Sequence, residues 1–443
     1  MRVLLLNPPG KKLYLRDYYC SKISKANYIN QPTDLVILSG ILDTCHEVIV
    51  IDAVIEKLND EETLSRIRRL APDIVVFLSG SVSFEEDFRF LEKVKKATKA
   101  RLIGTGDIFM EDSGDLLKKY KFIDAVLLDF TTDDILKWID GKIKGKIIGG
   151  NGRFKIPVPR HDLFKNHLYR YPFIRREPFA TVLTNYGCPF RCSFCIMNKL
   201  KFKMREVDEV IEELKFLKKI GIRGLYFNDQ TFGIDEGRTK DLLKKMIPLG
   251  FTWVCFSRVD VVNYEILKLM KKAGCHTIMF GVESGNQKIL DKSGKGLKKE
   301  DIRRTFGLCK ELGINTLGTF MIGLPGDTYE TCLETIEFAK EIDCDFAAFN
   351  IPVPRMGTDL RKDAIKKKLI SKDVRKMDQS GSEAVMGNEN LTIGQLEKLH
   401  KKAYHDFYFR PGYILKRLLK LKTFTELKNH IRDGLGLIFK KEG

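Results

Sequence analysis

The chain has 443 residues, 43% of them hydrophobic and 31% charged, enough apolar material for two or three packed domains and too much for a disordered chain. No run of about 18 apolar residues occurs, and Met1-Arg2-Val3-Leu4-Leu5-Leu6-Asn7-Pro8-Pro9 lacks the length and cleavage site of a signal peptide, so a cytoplasmic protein is expected. The net charge of +18 invites a nucleic-acid partner, but none is expected. The basic residues are spread over helix faces such as Lys215-Phe216-Leu217-Lys218-Lys219, and no nucleic-acid fold signature accompanies them.

From residue 1 to about 140, short β-rich runs alternate with amphipathic stretches, the pattern of an α/β domain with a doubly wound, Rossmann-like parallel sheet. Strands are expected at Val3 to Leu6, Glu47 to Ile51, Ile74 to Leu78, Arg101 to Gly104 and Ala125 to Leu128. Helices are expected at Asp34 to Thr44, Glu61 to Leu70, Phe84 to Thr98, Ser113 to Lys119 and Thr132 to Trp138, with Asp60, Ser83 and Thr131 at N-cap positions. Ligands of such sheets lie beyond the C-terminal strand ends. Here these are Asn7-Pro8-Pro9-Gly10, Asp52-Ala53, Ser79-Gly80-Ser81 and Gly104-Thr105-Gly106-Asp107. Residues 141–178 are rich in Gly, Lys and Pro and read as a linker; His161 and His167 near its end read as surface or packing residues.

At Cys188, Cys192 and Cys195, three cysteines at Cys-x3-Cys-x2-Cys spacing follow the apolar run Phe179 to Leu183, in a loop that Gly187 and Pro189 keep irregular. Three thiolates are one fewer than a closed zinc site or an ordinary ferredoxin cluster uses, so a cluster held here would keep one iron open. A zinc knuckle borrowing a distant ligand, or a chance grouping of core cysteines, is compatible with spacing alone. Of the other cysteines, Cys45, Cys255, Cys275, Cys309, Cys332 and Cys344 sit in apolar patterns and read as buried small hydrophobes.

From 179 to 358 the alternation resumes through six βα units, the pattern of a partial, open TIM-like barrel whose functional groups belong at the C-terminal strand ends. Those ends read Asn228-Asp229-Gln230-Thr231-Phe232, Ser257-Arg258-Val259-Asp260, Gly281-Val282-Glu283-Ser284-Gly285, Ile322-Gly323-Leu324-Pro325-Gly326 and Pro352-Val353-Pro354-Arg355-Met356-Gly357-Thr358. Residues 359–443 form a basic, mostly helical region. A polar, Gly-containing loop at 378–390 is expected to be mobile over the barrel mouth, followed by helices at Leu391 to Phe409, Gly412 to Leu421 and Phe424 to Phe439. Residues 401–443 carry eleven Lys or Arg against four Asp or Glu, interleaved with Phe407, Tyr408, Phe409, Ile414 and Leu418. They read either as a solvated helix face or as a peripheral contact with anionic lipid or an amphiphilic substrate.

The cysteine loop, with Phe194 just before its last cysteine, resembles the radical S-adenosylmethionine (SAM) superfamily, and the downstream strand ends resemble its other segments. The resemblance implies that Cys188, Cys192 and Cys195 bind a [4Fe-4S] cluster whose fourth iron chelates SAM. It implies that Phe194 packs beside the cluster or the adenine, and that Arg258 and Glu283 meet SAM's amino acid and ribose. Gly323 to Gly326 would approach the adenine, and Asp229 and Gln230 would serve SAM or substrate. Pro354-Arg355-Met356-Gly357-Thr358 departs from the family's more usual Pro-aromatic-Pro-Gly-Thr.

The N-terminal domain resembles the cobalamin-binding domain of B12-dependent members, through Leu6-Asn7-Pro8-Pro9, the Asp52 strand end and Ala71-Pro72-Asp73. This implies cobalamin contacts near Asn7, Pro8, Ser79, Gly80 and Gly104. The Asp-x-His-x-x-Gly motif is missing, which implies a cobalamin without a histidine on its lower face. A degenerate domain that only supports the core or shapes a substrate channel is the other reading. The implied activity is reductive cleavage of SAM to a 5'-deoxyadenosyl radical and methylation of an unactivated carbon of a lipid-like or natural-product substrate. A ferredoxin or flavodoxin would supply electrons. Ring formation or rearrangement of a porphyrin, hopanoid or lipid with the same cofactors is the alternative, and a non-catalytic sensor or electron carrier a remoter one.

Overall fold

The computed structural model describes residues 1–24, 28–150 and 152–420. Its N-terminal part contains β1 (Arg2–Asn7), a short antiparallel hairpin of β2 (Tyr14–Leu15) and β3 (Lys22–Ile23), then β4 (Glu47–Asp52), β5 (Ile74–Leu78), β6 (Arg101–Thr105), β7 (Ala125–Leu127) and β8 (Ile147–Ile148). Helices α1 (Thr33–Asp43), α2 (Asp60–Leu70), α3 (Phe84–Ala97), α4 (Ser113–Lys119) and α5 (Asp134–Ile139) lie between them. The sheet is parallel, in the order β4-β1-β5-β6-β7-β8. Its direction of winding reverses between β1 and β5, where a doubly wound sheet opens its ligand crevice.

Strand periodicity divides the side chains of this sheet between two cores. Leu4, Leu6, Val75 and Phe77 pack under α2, α3 and α4. Val3, Leu5, Ile74 and Val76 turn the other way, into a core that also holds Leu35 and Leu38 of α1 and Tyr226, Val254 and Met279 of the second sheet.

Several local expectations are corrected. The segment 141–178 is packed throughout much of its length: β8 adds a sixth strand to the sheet, and Phe154, Ile156, Phe164 and Tyr169 are buried. These apolar residues are diluted by Gly, Lys and Pro, which is why composition read as a linker. His161 is buried, with Nε2 2.8 Å from Glu213 Oε1, while His167 is exposed. Asn59, not Asp60, caps α2: its side chain accepts from the Glu62 amide, and Glu62 accepts from the Asn59 amide. Ser83 holds the N-cap position of α3 as expected, although its hydroxyl donates to Asp87 and makes no cap bond; the N-cap of α5 is Asp133, and the Thr131 hydroxyl donates to Asp129. Cys45 lies just past α1 and is exposed.

The second sheet is also parallel and six-stranded, in the order β16-β15-β14-β13-β12-β9. Its strands are β9 (Phe179–Val182), β12 (Gly224–Phe227), β13 (Thr252–Ser257), β14 (Cys275–Glu283), β15 (Asn315–Met321) and β16 (Phe346–Asn350). Helices α6 (Val207–Lys219), α7 (Glu236–Met246), α8 (Tyr264–Lys272), α9 (Gln287–Lys292), α10 (Lys299–Glu311) and α11 (Tyr329–Glu341) accompany it, making the open TIM-like barrel expected from the sequence. A second hairpin, β10 (Asn185–Tyr186) with β11 (Lys203–Met204), brackets the cysteine loop.

After α12 (Asp359–Lys366), helices α13 (Ile393–Tyr408) and α14 (Pro411–Lys420) pack along the edge strand β16. The hydroxyls of Tyr404, Tyr408 and Tyr413 donate to the carbonyls of Phe349, Ala347 and Asp345 at 3.1, 2.8 and 2.9 Å. The 378–390 segment is tied down as a wall: Gln379 Nε2 bonds Ser81 and Asp107, Asp378 accepts from the Ile23 amide, and Asn388 bonds the Leu324 carbonyl. The helix expected at Phe424 to Phe439 lies outside the described residues.

Candidate active site

The cysteine loop is anchored on its barrel side by Asp229. Its carboxylate accepts from the Thr184 amide and hydroxyl and from the Asn185 amide and side chain, at 2.6 to 3.1 Å. Asp229 is therefore turned toward the loop's root and away from the cavity, and burial pushes its carboxyl up to about 6. Gly187 takes φ +75° where a Cβ would meet the Lys201 carbonyl at 3.0 Å, so this turn favours glycine. The Cys188 amide donates to Met197, and the Ser193 amide to Ser293.

All three cysteines are free thiols, Cys192 buried and the other two half-buried. Burial pushes the Cys192 thiol up and the Cys195 thiol to about 11, with Lys295 and Arg258 pulling Cys192 back. Positive charge has been brought to thiols that are otherwise costly to ionise. A metal centre binding them as thiolates fits this donor set. Among the described residues, no three His, Cys, Asp or Glu side chains stand close enough to share a single ion.

At the end of β14, Glu283 sits at φ +68° beyond a register shift, a strained conformation that functional sites commonly hold. It pairs with Lys295 Nζ at 2.8 Å, and a Cβ on Gly281 would meet both groups at 2.5 Å, so glycine makes room for the pair. Arg258 is fully engaged. It grips Asp260 with Nε and Nη2, donates to the Lys295 carbonyl, stacks 3.7 Å from the Phe190 ring centroid and places Nη1 3.9 Å from Cys192 Sγ. The Gly323 and Leu324 amides donate to Asp327, and the Gly326 amide to Glu389, so this loop is held from below.

A cavity of about 750 Å³ lies between the two sheets. Phe194, Gln230 and Glu283 border it from the barrel and Asn7 from the N-terminal sheet. Arg258, Asp229, Gly323 and Gly326 do not line it, and neither do Pro8, Ser79, Gly80 and Gly104. The reason on the N-terminal side is steric. The β2–β3 hairpin folds back over the strand ends, so that a Cβ on Gly80 would lie 2.3 Å from Ser21 Cβ, while Ser79 donates to Asp87. Gly104 lies under the Phe77 and Phe109 rings, and the Pro8 carbonyl accepts from Arg16.

Sequence reading missed the groups that the hairpin and the 378–390 wall bring in. Arg16 pairs with Asp87 at 2.6 Å, both side chains wholly buried. Asp17 Oδ1 and Gln379 Oε1 line the cavity's walls as buried acceptors without a partner, and burial pushes the Asp17 carboxyl up to about 7. Unpaired acceptors suit a ligand rich in N–H donors, as the amide-fringed corrin of cobalamin is, so the residues present fit that group. No periodicity marks a two-residue hairpin, and no motif surrounds Asp17, Lys295 or Gln379.

Residues 182–339 match the model of the radical SAM superfamily. The chain belongs to this superfamily and is a radical SAM enzyme. The uncharacterized methyltransferase PH0819 of Pyrococcus horikoshii is 30% identical to it, with 99% of each chain covered. Among solved structures, the radical SAM methyltransferase TsrM from Kitasatospora setae, with cobalamin and a [4Fe-4S] cluster bound, aligns at TM-score 0.69 and 18% identity over 100% of this chain and 99% of that one. The cobalamin-dependent enzyme OxsB, with aqua-cobalamin and SAM bound, aligns at TM-score 0.70 and 16% identity over 99% of this chain and 72% of that one. These two likenesses establish the shared fold.

Proposed function

We propose that the protein is a cobalamin-dependent radical SAM methyltransferase acting on an unactivated carbon of a lipid-like or natural-product substrate. The observation that carries this reading is the single cavity bordered by Phe194 and Glu283 on the barrel side and by Asn7, Asp17 and Gln379 on the other. Two cofactors held on facing sheets can act on one substrate only if they open into one space. The methyltransferase name of the Pyrococcus relative and the ligands of TsrM and OxsB support it.

Cys188, Cys192 and Cys195 would hold the cluster, and Asn7, Asp17 and Gln379 the cobalamin. Bound there, cluster and SAM supply an oxidant strong enough for an unactivated C–H bond, and cobalamin supplies the methyl group. The chain's own residues do the rest. Lys295 fixes the Glu283 carboxylate where it can accept from the SAM ammonium, and Arg258 lends charge to Cys192. Phe194 walls the site. The β2–β3 hairpin and the Gln379 segment cover the N-terminal strand ends and exclude water from them. A low-potential donor of the ferredoxin or flavodoxin kind would reduce the cluster.

No helix among the described residues is long and apolar enough to cross a membrane. On α14, Ile414, Leu415 and Leu419 are exposed beside Lys416 and Arg417, which supports peripheral contact with anionic lipid. Equal binding of wild type and Leu415→Ser/Leu419→Ser protein to phosphatidylglycerol vesicles would remove that part. For the reaction, anaerobic incubation with dithionite, methyl-labelled SAM and a small-metabolite extract is expected to yield S-adenosylhomocysteine, 5'-deoxyadenosine and labelled product together. Deoxyadenosine alone would favour ring formation over methyl transfer.

A further inference from the structure

Buried basic side chains in this protein meet carboxylates: Arg16 meets Asp87, Lys203 meets Asp129, Arg205 meets Glu213 and Lys295 meets Glu283. The half-buried Lys22 and Arg355 differ. Both line the cavity, and neither forms an ion pair with a described residue. Arg355 donates one long hydrogen bond, from Nη2 to the Gln379 carbonyl at 3.4 Å. Lys22 stands on β3 and Arg355 just past β16, yet Tyr19 and Cys20 are electrostatic neighbours of both, which places the two cations in one neighbourhood.

A cation partly withdrawn from water without a paired counter-charge is costly, and its retention in a cavity points to a charge supplied from outside. The cavity supplies it only in part. Glu283 is committed to Lys295, and Arg16 and Arg417 already have their own carboxylates; Asp17 and Asp107 are within electrostatic reach of Lys22 and Arg355 but form no ion pair with them, Asp107 being taken by Ser21, Ser81 and Gln379. The remaining wall is aromatic: Tyr171 stacks on Tyr226 at 4.4 Å, Phe173 meets Phe346 at 5.1 Å, and Tyr28 meets Tyr171 edge-on at 5.7 Å. This pairs an anion-binding end with an apolar, ring-accepting one.

We propose that Lys22 and Arg355 form the anion subsite of the substrate pocket, holding a carboxylate or phosphate of the substrate while Tyr28, Tyr171, Phe173 and Phe346 receive its apolar ring or chain. The inference rests on the cavity's being the active site. Arginine grips an oxyanion in two-pronged fashion and lysine adds a point charge, so the pair suits a terminal oxyanion better than a buried ester. SAM carries a carboxylate and cobalamin a phosphate, so the test must separate three sources of the same chemistry.

The probes are 1-anilinonaphthalene-8-sulfonate and N-phenyl-1-naphthylamine, which share an aromatic body and differ by the sulfonate. Equilibrium dialysis against cobalamin- and cluster-loaded protein measures both. Lys22→Met and Arg355→Met should each weaken the sulfonate by about tenfold and leave the neutral amine within about twofold, and Lys22→Arg should restore most of the loss. Unchanged sulfonate binding, or equal loss of both probes, overturns the proposal. So does a loss of SAM affinity or of bound cobalamin with sulfonate binding intact, since the anion would then belong to a cofactor. SAM cleavage under dithionite is measured in the same variants. It should persist, and if the wild type cleaves none, the functional reading fails while the dialysis result still stands or falls by itself.

Discussion

The two sheets are alike in strand number and direction and opposite in what happens at their C-terminal ends. In the barrel those ends stay open: Glu283 reaches the cavity in a strained conformation, and the cysteine loop is held beside it by Asp229. In the N-terminal sheet the chain covers its own strand ends, with Ser21 over Gly80 and Gln379 on Asp107. Asp107 and Asp229 play matching parts. One accepts from Ser21, Ser81 and Gln379 and fastens a cover; the other accepts from Thr184 and Asn185 and fastens the cysteine loop. A strand-end rule finds where groups gather, but what covers them decides whether a ligand can meet them.

The largest effect is expected at the cluster. Cys192→Ala should abolish the brown absorbance and bring SAM cleavage below detection, because two thiolates hold the cluster poorly; retained cleavage would detach the barrel's strand ends from the chemistry. Next come the two anchors. Asp229→Ala leaves buried donors of Thr184 and Asn185 unpaired, which costs about 3 kcal/mol or more, and should deplete iron while sparing cobalamin. Asp107→Ala should do the reverse, releasing the hairpin and lowering cobalamin retention at normal iron content. Parallel losses of both cofactors in either variant would break the comparison.

A third prediction contrasts the two ends of the barrel. His276, near the start of β14, is buried and lowered to about 3, mainly by burial. The unfolded chain takes up a proton near pH 6.5 while the folded protein does not until about 3, so stability is present above 6.5 and falls as pH drops toward 3. Denaturant titrations across pH 4 to 7 should show that slope, and His276→Asn should flatten it without changing SAM cleavage. Smallest is Lys376→Ala, which removes an exposed bridge to Glu85 between the chain just before the wall segment and α3. It should shift stability by less than about 1 kcal/mol, and a larger shift would mean the two regions lean on surface charge.

The alternation of strands and helices was legible because each long strand carries a run of β-branched and apolar residues, as in Ile74-Val75-Val76-Phe77-Leu78. The cysteine loop was legible because its three thiols, Cys188, Cys192 and Cys195, lie close together in sequence. What escaped reading is set by contacts distant in sequence. Gly80 occupies a position that a doubly wound sheet leaves open, and a hairpin about sixty residues upstream covers it. Glu283 was visible at its strand end, but Lys295 belongs to it only through the fold. Arg258 reads equally well as a ligand-binding arginine or a rim contact, and its grip on Asp260 emerges only when Phe190 and Cys192 are placed around it.

The most direct test of the account is the absorbance spectrum and metal content of protein purified without oxygen from cells supplied with iron and cobalamin. About four irons and one tightly held cobalamin per chain are predicted, the iron lost in Cys192→Ala and the cobalamin retained there. Iron with no cobalamin would contradict the two-cofactor cavity and leave the N-terminal sheet as a scaffold for a radical SAM barrel.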